Sequence, residues 1–191
     1  MNEEFLQKAR QQATTWARYC LKIPPEKWAI LDTETTGLDE GAEVIQIGII
    51  NGRGARLMNN VLVQPQGVIP AEAIAVHGIT NEMAERGIPF PKAFQAMMNV
   101  LNGLELLIIY NKAYDMRLIG QSCKRHEITS IGRAKFPRRV NCAMLAYAQY
   151  QGQWDNRRNG FRWPKLTGGD HSAVGDCMAT KNVIELMAEV V

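Results

Sequence analysis

The chain contains the segment Trp28-Ala29-Ile30-Leu31-Asp32-Thr33-Glu34-Thr35-Thr36-Gly37, in which an apolar run ends in two carboxylates. The apolar run predicts a buried strand, and the glycine predicts the turn that follows it. Because successive strand side chains point to opposite faces, Asp32 and Glu34 project to the same side, where their charges repel unless a cation or a proton intervenes. Carboxylate oxygens are hard ligands that favour Mg²⁺ or Mn²⁺. The pair predicts a metal site, although an isolated Asp-x-Glu also fits a simple turn.

The rest of the sequence predicts an α/β domain. Strands are expected over residues 28–34, 43–51, 57–63 and 104–110, the first three as an antiparallel meander and the last parallel to the first. Helices are expected over residues 3–21, in short pieces between 71 and 102, and over 114–127, 142–150 and 172–190. This order predicts a mixed β-sheet flanked by helices.

Composition and length favour one globular domain. The 191 residues, 46% of them hydrophobic, suffice for one sizeable core, and we expect a helical extension, residues 1–27, packed on a domain of residues 28–191. No apolar stretch is long enough to span a bilayer and the polar start lacks the layout of a secretory signal, so we expect a cytoplasmic protein. The four scattered cysteines predict reduced thiols rather than a zinc knuckle or a disulfide framework.

Two further acids lie on otherwise apolar helix faces. Asp115 shares a face with Leu118 and Ile119, and Asp176 shares one with Ile184. A buried unpaired carboxylate is costly, so each acid needs a proton or a cation, and a shared pair of metals would serve all of the acids together. Asp115 taken alone also fits a helix cap.

His171 lies five residues before Asp176, after a Gly-Gly-Asp turn. An imidazole, with an unperturbed pKa of about 6.5, suits proton transfer from a water molecule at neutral pH. The alternative is a surface histidine that caps the last helix.

Three segments together resemble the motifs of the DEDDh 3′-to-5′ exonucleases, a family that includes polymerase proofreading subunits. They are Asp32-Thr33-Glu34-Thr35-Thr36-Gly37, Asn111-Lys112-Ala113-Tyr114-Asp115 and His171-Ser172-Ala173-Val174-Gly175-Asp176. They occur in the family's order across residues 28–190, and Val76-His77-Gly78-Ile79-Thr80 resembles a further segment of its proofreading-like branch.

The resemblance implies a ribonuclease H-like fold and a hydrolase that releases nucleoside 5′-monophosphates from 3′ ends. It implies that Asp32, Glu34, Asp115 and Asp176 bind two divalent ions, Mg²⁺ or Mn²⁺, with His171 as the general base. The substrate-binding residues that it implies are Thr35, Thr36, Gly37, Leu38, His77 and Asn111. Leu38 would be wedged against the terminal base, or alternatively would be tucked into the core.

The same resemblance favours single-stranded DNA as substrate and a polymerase or another replication or repair protein as partner. An exoribonuclease, a non-catalytic nucleic-acid-binding or polymerase-docking module, and a phosphodiesterase of small nucleotides are the open alternatives. The catalytic ions see only phosphate, so the residues do not separate DNA from RNA. No membrane partner is expected, and the oligomeric state is left open.

The sequence departs from the family pattern at a few positions. Tyr110 stands where many members have histidine, Tyr114 where phenylalanine is commoner, and Asn141-Cys142 where Asp-Thr is frequent. Only residues 166–170 separate Lys165 from His171, whereas relatives usually carry a longer segment. We therefore expect a more open pocket for the 3′ end.

The net charge is only +3, but basic residues form two groups. These are Lys124, Arg125, Arg133, Lys135, Arg138 and Arg139, and then Arg157, Arg158, Arg162 and Lys165. Trp154, Phe161 and Trp163 are interleaved with the second group, a composition that suits stacking on bases beside neutralised phosphates. The alternative is that these aromatic residues are core anchors.

Overall fold

A computed structural model describes residues 2–129 and 135–189 of the chain. The helices in these ranges are α1 (Glu3–Lys22), α2 (Ala71–His77), α3 (Asn81–Glu85), α4 (Phe90–Leu101), α5 (Lys112–Arg125), α6 (Ala143–Gln151) and α7 (Ala173–Glu189). The strands are β1 (Trp28–Thr35), β2 (Val44–Asn51), β3 (Arg56–Gln64), β4 (Ile88–Pro89), β5 (Leu106–Ile109), β6 (Arg139–Cys142), β7 (Trp154–Asp155) and β8 (Gly160–Phe161). None of these helices is long and apolar enough to cross a bilayer.

Six strands form one mixed sheet in the order β4-β3-β2-β1-β5-β6, and β7 and β8 form a separate hairpin. Strands β1, β2 and β3 pair antiparallel, whereas β5 is parallel to β1 and β6 is parallel to β5. The predicted mixed sheet flanked by helices is therefore confirmed. The sequence analysis did not predict β4, β6 or the hairpin. Arg133 of the first basic group lies outside the described residues.

Strand β1 lies in the middle of the sheet, and its alternating side chains contribute to two cores. Ile30 packs with α1, α6 and α7 on one face, whereas Ala29 and Leu31 pack with α4 and α5 on the other. Leu31 and Ile30 are fully buried, which explains why the run carries no polar residue before Asp32. The end of β1 is consequently fixed between two helical layers.

Helix α7 crosses the sheet at Gly48 of β2. A Cβ atom at this position would lie 2.5 Å from the carbonyl carbon of Ala173, so only glycine allows the first turn of α7 to approach so closely. Side-chain oxygens of Gln46 and Asn60 accept hydrogen bonds of 2.9 and 2.7 Å from the amides of Ala173 and Val174. These contacts satisfy amides that a helix start leaves unpaired, and they set the height of α7 over the sheet.

Helix α1 packs against α6 and α7 through buried Ala13, Ala17 and Cys20. Its division from the rest of the chain as an extension of residues 1–27 stays a prediction. Cys20 and Cys177 are buried, Cys123 and Cys142 are partly buried, and all have free thiols.

Candidate active site

Three of the predicted acids meet at the end of β1. Asp32 and Glu34 lie on β1 and face the same side, and Asp176 comes from the first turn of α7. One carboxylate oxygen from each of these residues lies within 4.8 Å of the others. Such a group of oxygen atoms matches the ligand set that small divalent cations prefer.

Asp115 reaches the same place from the opposite face of the sheet. It lies in the first turn of α5, is only 3% exposed, and is not a member of the 4.8 Å cluster. Its Oδ1 accepts hydrogen bonds from the amide and the hydroxyl of Thr33, at 3.1 and 2.8 Å. A helix cap alone does not account for this carboxylate, because two of its hydrogen bonds come from β1.

Burial and mutual repulsion perturb all four acids. The pKa of Asp32 lies well above its usual range, first because of burial and then because of the charges of Asp115, Glu34 and Asp176. Burial and the charges of Asp176 and Asp115 raise the pKa of Glu34 to about 8. Burial raises the pKa of Asp115 to about 7, although the bonds from Thr33 oppose the shift. Burial also raises the pKa of Asp176. The site thus favours bound protons or bound cations.

His171 lies beside this cluster on an exposed turn. Its φ of 57° is in the left-handed region, and its amide donates a hydrogen bond of 3.3 Å to Oδ1 of Asp176. Asp170 accepts hydrogen bonds of 3.0 and 2.8 Å from the amide and hydroxyl of Ser172, which continue the turn into α7. A Cβ atom on Gly169 would lie 2.1 Å from Oδ1 of Asp176, so the main chain passes very close to this acid.

The five predicted catalytic residues line one cavity of about 490 Å³, which also includes Asn111. This acid cavity adjoins a second cavity of about 510 Å³, and the two share Glu34 and Tyr114. The second cavity includes the predicted substrate-binding residues Thr35, Thr36, Gly37, Leu38 and His77. The structure therefore brings all of the predicted site residues to two neighbouring cavities.

Leu38 and His77 have distinct environments in the second cavity. Leu38 is 78% exposed, so the alternative of a core residue is wrong. His77 Nδ1 accepts a hydrogen bond of 3.0 Å from the amide of Ile79, which places the ring proton on Nε2. Within the described residues this buried Nε2 has no hydrogen-bond partner. Burial lowers the pKa of His77, which favours the neutral ring.

A family model described as an exonuclease, RNase_T, matches residues 29–184. The chain belongs to this exonuclease family. The exonuclease is 37% identical over 171 residues to the uncharacterized exonuclease CP81 of Escherichia phage 186, a match that covers 83% of the chain and 87% of the phage protein. It is 28% identical over 145 residues to the DNA polymerase III subunit epsilon of Escherichia coli K12, covering 64% of the chain and 59% of that subunit.

Solved structures show the same fold. Exonuclease X in complex with 5′ overhanging duplex DNA aligns with a TM-score of 0.53 at 22% identity, covering 86% of the exonuclease and 94% of that chain. Exonuclease I from Methylocaldum szegediense aligns with a TM-score of 0.60 at 18% identity, covering 82% of the exonuclease and 39% of that chain. The resemblance predicted from the three motifs is confirmed at the level of the family.

The departures from the family pattern make hydrogen bonds of their own in this exonuclease. Tyr110 donates a bond of 3.0 Å to the carbonyl of Pro164, and Cys142 donates one of 3.1 Å to the carbonyl of Tyr110. The Tyr114 hydroxyl donates a bond of 3.0 Å to the carbonyl of Gly37 and lies 2.8 Å from the Thr35 hydroxyl.

Sequence reasoning missed several residues of the two cavities. Thr33 binds Asp115 across 82 positions, and no local pattern indicates that pairing. Leu166 lines the acid cavity, and its only sequence signal is its closeness to His171, whereas Lys165, which also lines it, belongs to the second basic group of the sequence. Tyr114 lines both cavities, and its hydroxyl was visible only as a departure from phenylalanine.

Proposed function

We propose that this chain is a metal-dependent 3′-to-5′ exonuclease that releases nucleoside 5′-monophosphates from single-stranded DNA. The observation that carries the proposal is the meeting of Asp32, Glu34 and Asp176 within 4.8 Å, with Asp115 and His171 lining the same cavity. Family membership supports a nuclease. The direction of cleavage, the strand preference and the metals are the parts that we add.

The acids have the chemistry of a site for two divalent cations, Mg²⁺ or Mn²⁺. Burial, and then the charges of the neighbouring carboxylates, raise their pKa values, so the charged acids need a counter-charge, and their oxygens are hard donors. Asp32, Glu34, Asp115 and Asp176 would hold the ions, which when bound would supply Lewis-acid stabilisation of the charge that develops at the phosphate. Thr33 holds Asp115 in its orientation through two hydrogen bonds.

The other residues bind substrate and move protons. His171 would accept the proton of the attacking water, because its exposed turn gives the imidazole access to the cavity. Thr35, Thr36, Gly37, Leu38 and His77 would hold the terminal nucleotide in the second cavity, with exposed Leu38 against its base. Asn111 would contact the substrate from the acid cavity.

One assay tests the proposal. A 5′-labelled single-stranded DNA, its RNA counterpart and a mismatched duplex are each incubated with Mg²⁺, with Mn²⁺ and with EDTA. We expect a ladder that shortens from the 3′ end of the single-stranded DNA with either metal, and no cleavage with EDTA. Activity in EDTA, internal cuts without a ladder, or faster cleavage of RNA than of DNA would each contradict a part of the proposal.

A matched pair of variants controls this assay. Asp32→Asn removes one carboxylate from the cluster, and Glu26→Gln removes an exposed carboxylate at the opposite end of β1. We expect the first variant to be inactive and the second to cleave as the wild type does. A polymerase partner and a cytoplasmic location remain predictions that this assay does not address.

A further inference from the structure

Next to the acid cavity, the structure presents a basic surface with an exposed indole. We call residues 157–165 the basic segment. Arg157, Arg158, Arg162, Trp163 and Lys165 are all exposed, and Trp163 keeps 54% of its surface accessible. The Arg158 guanidinium carbon lies 4.7 Å from the centroid of the Trp163 ring, so that a cation and an aromatic plane are stacked in solvent. A single exposed apolar side chain is ordinary on a protein surface, and what distinguishes this indole is the guanidinium stacked on it.

Aromatic contacts with α1 hold the basic segment in place. Trp154 and Phe161 pair their rings edge to face at 5.3 Å, and both pack against Phe5 of α1 at 5.8 and 5.9 Å. These two half-buried aromatic residues therefore hold the hairpin against α1 at the surface rather than in the core. Trp163 is different, because it projects from the anchored hairpin into solvent with Arg158.

The basic segment leads directly into the acid cavity. Pro164 and Lys165, which follow Trp163 in the chain, line that cavity together with the predicted catalytic residues. The Tyr110 hydroxyl donates a hydrogen bond of 3.0 Å to the carbonyl of Pro164, which ties the end of the segment to the end of β5. A strand whose 3′ end lies in the acid cavity therefore meets Lys165 first and Trp163 and Arg158 next.

A second basic surface on α5 provides a contrast. There Arg117 and Arg125 donate hydrogen bonds to the main-chain carbonyls of Leu38 and Gly41, so their charges are already used in holding a loop. In the basic segment, by comparison, Arg157 and Arg162 make no ion pair within the described residues. Arg158 lies 4.0 Å from Asp155 and remains 54% exposed. The cations of the basic segment are therefore available to phosphates.

We infer that Arg157, Arg158 and Trp163 form a binding surface for the single strand that leads away from the scissile end. The arginines neutralise backbone phosphates, and the indole with its stacked guanidinium offers planes for a base. Such contacts are insensitive to sequence and common to DNA and RNA. The inference rests on the proposed function, because it takes the acid cavity to hold the 3′ end.

The test measures binding without turnover. Fluorescence anisotropy of a 5′-fluorescein-labelled dT₁₅ strand in EDTA gives Kd at a series of NaCl concentrations. For the double variant Arg157→Ala/Arg158→Ala we expect the slope of log Kd against log salt to fall by about 1.4, about 0.7 for each removed charge on a single strand. For Trp163→Ala we expect Kd to rise about 5-fold or more, the loss of one stacked base, with the salt slope kept.

Arg53→Ala is the matched control. Arg53 is an exposed arginine on the turn after β2, at the end of the strands opposite the acid cavity, and it lies 3.8 Å from Glu26. We expect its variant to keep the wild-type Kd and salt slope. If the variants of the basic segment bind dT₁₅ no more weakly than Arg53→Ala, the inference is wrong.

The outcomes also separate this inference from the proposed function. If binding depends on the basic segment but the wild-type protein releases no mononucleotide with Mg²⁺, the proposed function is refuted and the binding surface is supported. Release of mononucleotides with binding unchanged in all of the variants would refute the surface alone. A parallel series with rU₁₅ distinguishes the two sugars, and equal losses on both strands support the stacking and phosphate contacts.

Discussion

The second cavity and the acid cavity have walls that are held in different ways. On one side, four side chains of α5 donate hydrogen bonds to main-chain carbonyls of the loop over residues 37–42. They are Tyr114, Arg117, Gln121 and Arg125, and the acceptors are the carbonyls of residues 37 to 42. On the other side, His171 is exposed and touches the acids through one amide bond of 3.3 Å to Asp176.

The difference shows which parts of the site depend on long-range packing. We call the loop over residues 37–42, with the α5 side chains that hold it, the α5 wall. It lines the second cavity, and its geometry depends on how α5 packs on the sheet. The His171 wall is a short turn whose shape depends on Gly169 and on the start of α7. We expect changes in the α5 wall to alter substrate affinity, and changes in the His171 wall to alter turnover.

The largest expected effect is that of Asp115→Asn, which removes the carboxylate charge that the first turn of α5 brings to the acid cavity. The amide oxygen can still accept the bonds from Thr33, so the fold should survive while a proposed metal ligand loses its charge. We expect nuclease activity to fall by more than about 100-fold, the upper end of the cost of losing a partner of a metal ligand. Turnover of a 5′-labelled strand checks this, and full activity would refute the metal assignment.

His171→Ala should have the next largest effect. The variant lacks the group that we propose as proton acceptor, and loss of general-base catalysis costs about 10² to 10⁴-fold. We expect a fall of that order in kcat with little change in KM. His126→Ala is the control, because it removes an imidazole that stacks on Phe90 at 5.4 Å. Equal kcat values for the two variants would argue against a catalytic histidine.

Gly169→Ala tests the close approach of the main chain in the His171 wall to the carboxylate of Asp176. The added Cβ would lie 2.1 Å from Oδ1 of Asp176, so the carboxylate or the turn must shift and the spacing of the acid cluster must change. We expect about 10-fold lower activity and a higher Mg²⁺ concentration for half-maximal rate. Gly120→Ala, which meets nothing within 4 Å on the exposed face of α5, should leave activity intact and stabilise the helix by about 0.5–1 kcal/mol.

Tyr114→Phe probes the α5 wall with a smaller change. It removes the hydroxyl that bonds the Gly37 carbonyl and the Thr35 hydroxyl at the mouth of the second cavity. A net loss of about 0.5–1.5 kcal/mol corresponds to a KM about 2 to 12-fold higher, with kcat nearly unchanged. Tyr150→Phe on α6 removes a hydroxyl elsewhere and should leave KM as it is. A fall in kcat instead of a rise in KM would contradict the division between the two walls.

Much of the site lies within reach of sequence reasoning because its residues occupy regular elements. The apolar run before Asp32 predicts β1, and the helical faces of Asp115 and Asp176 predict that both carboxylates point inward. The assignment of Leu38 between surface and core, by contrast, needed the loop that α5 holds.

The missed elements share a physical reason. Strands β4, β7 and β8 have two residues each, too few to show an alternating pattern, and they form because their neighbours offer partners. Strand β6, Arg139–Cys142, is half-exposed and is recognised only by its parallel pairing with β5. The bond from Tyr110 to Pro164 likewise depends on tertiary contact between distant segments. The catalytic and metal roles of the site residues stay predictions until the variants are measured.

The smallest expected effect concerns the stability of the metal-free protein. In the folded state, the pKa of Glu34 is raised to about 8 and that of Asp115 to about 7, above the values of about 4 expected in an unfolded chain. The folded state therefore binds more protons than the unfolded state between these limits, so this contribution to stability is present at low pH and is lost as pH rises through about 7 to 8.

In EDTA we expect Tm to fall between pH 6 and pH 8.5 by about 2–4 °C for each kcal/mol lost. Mg²⁺ should restore Tm mainly at the higher pH, where the carboxylates are charged, and Asp32→Asn should flatten the dependence whereas Glu26→Gln should not. A metal-free Tm that rises over this range would mean that the acids are not crowded as the structure has them.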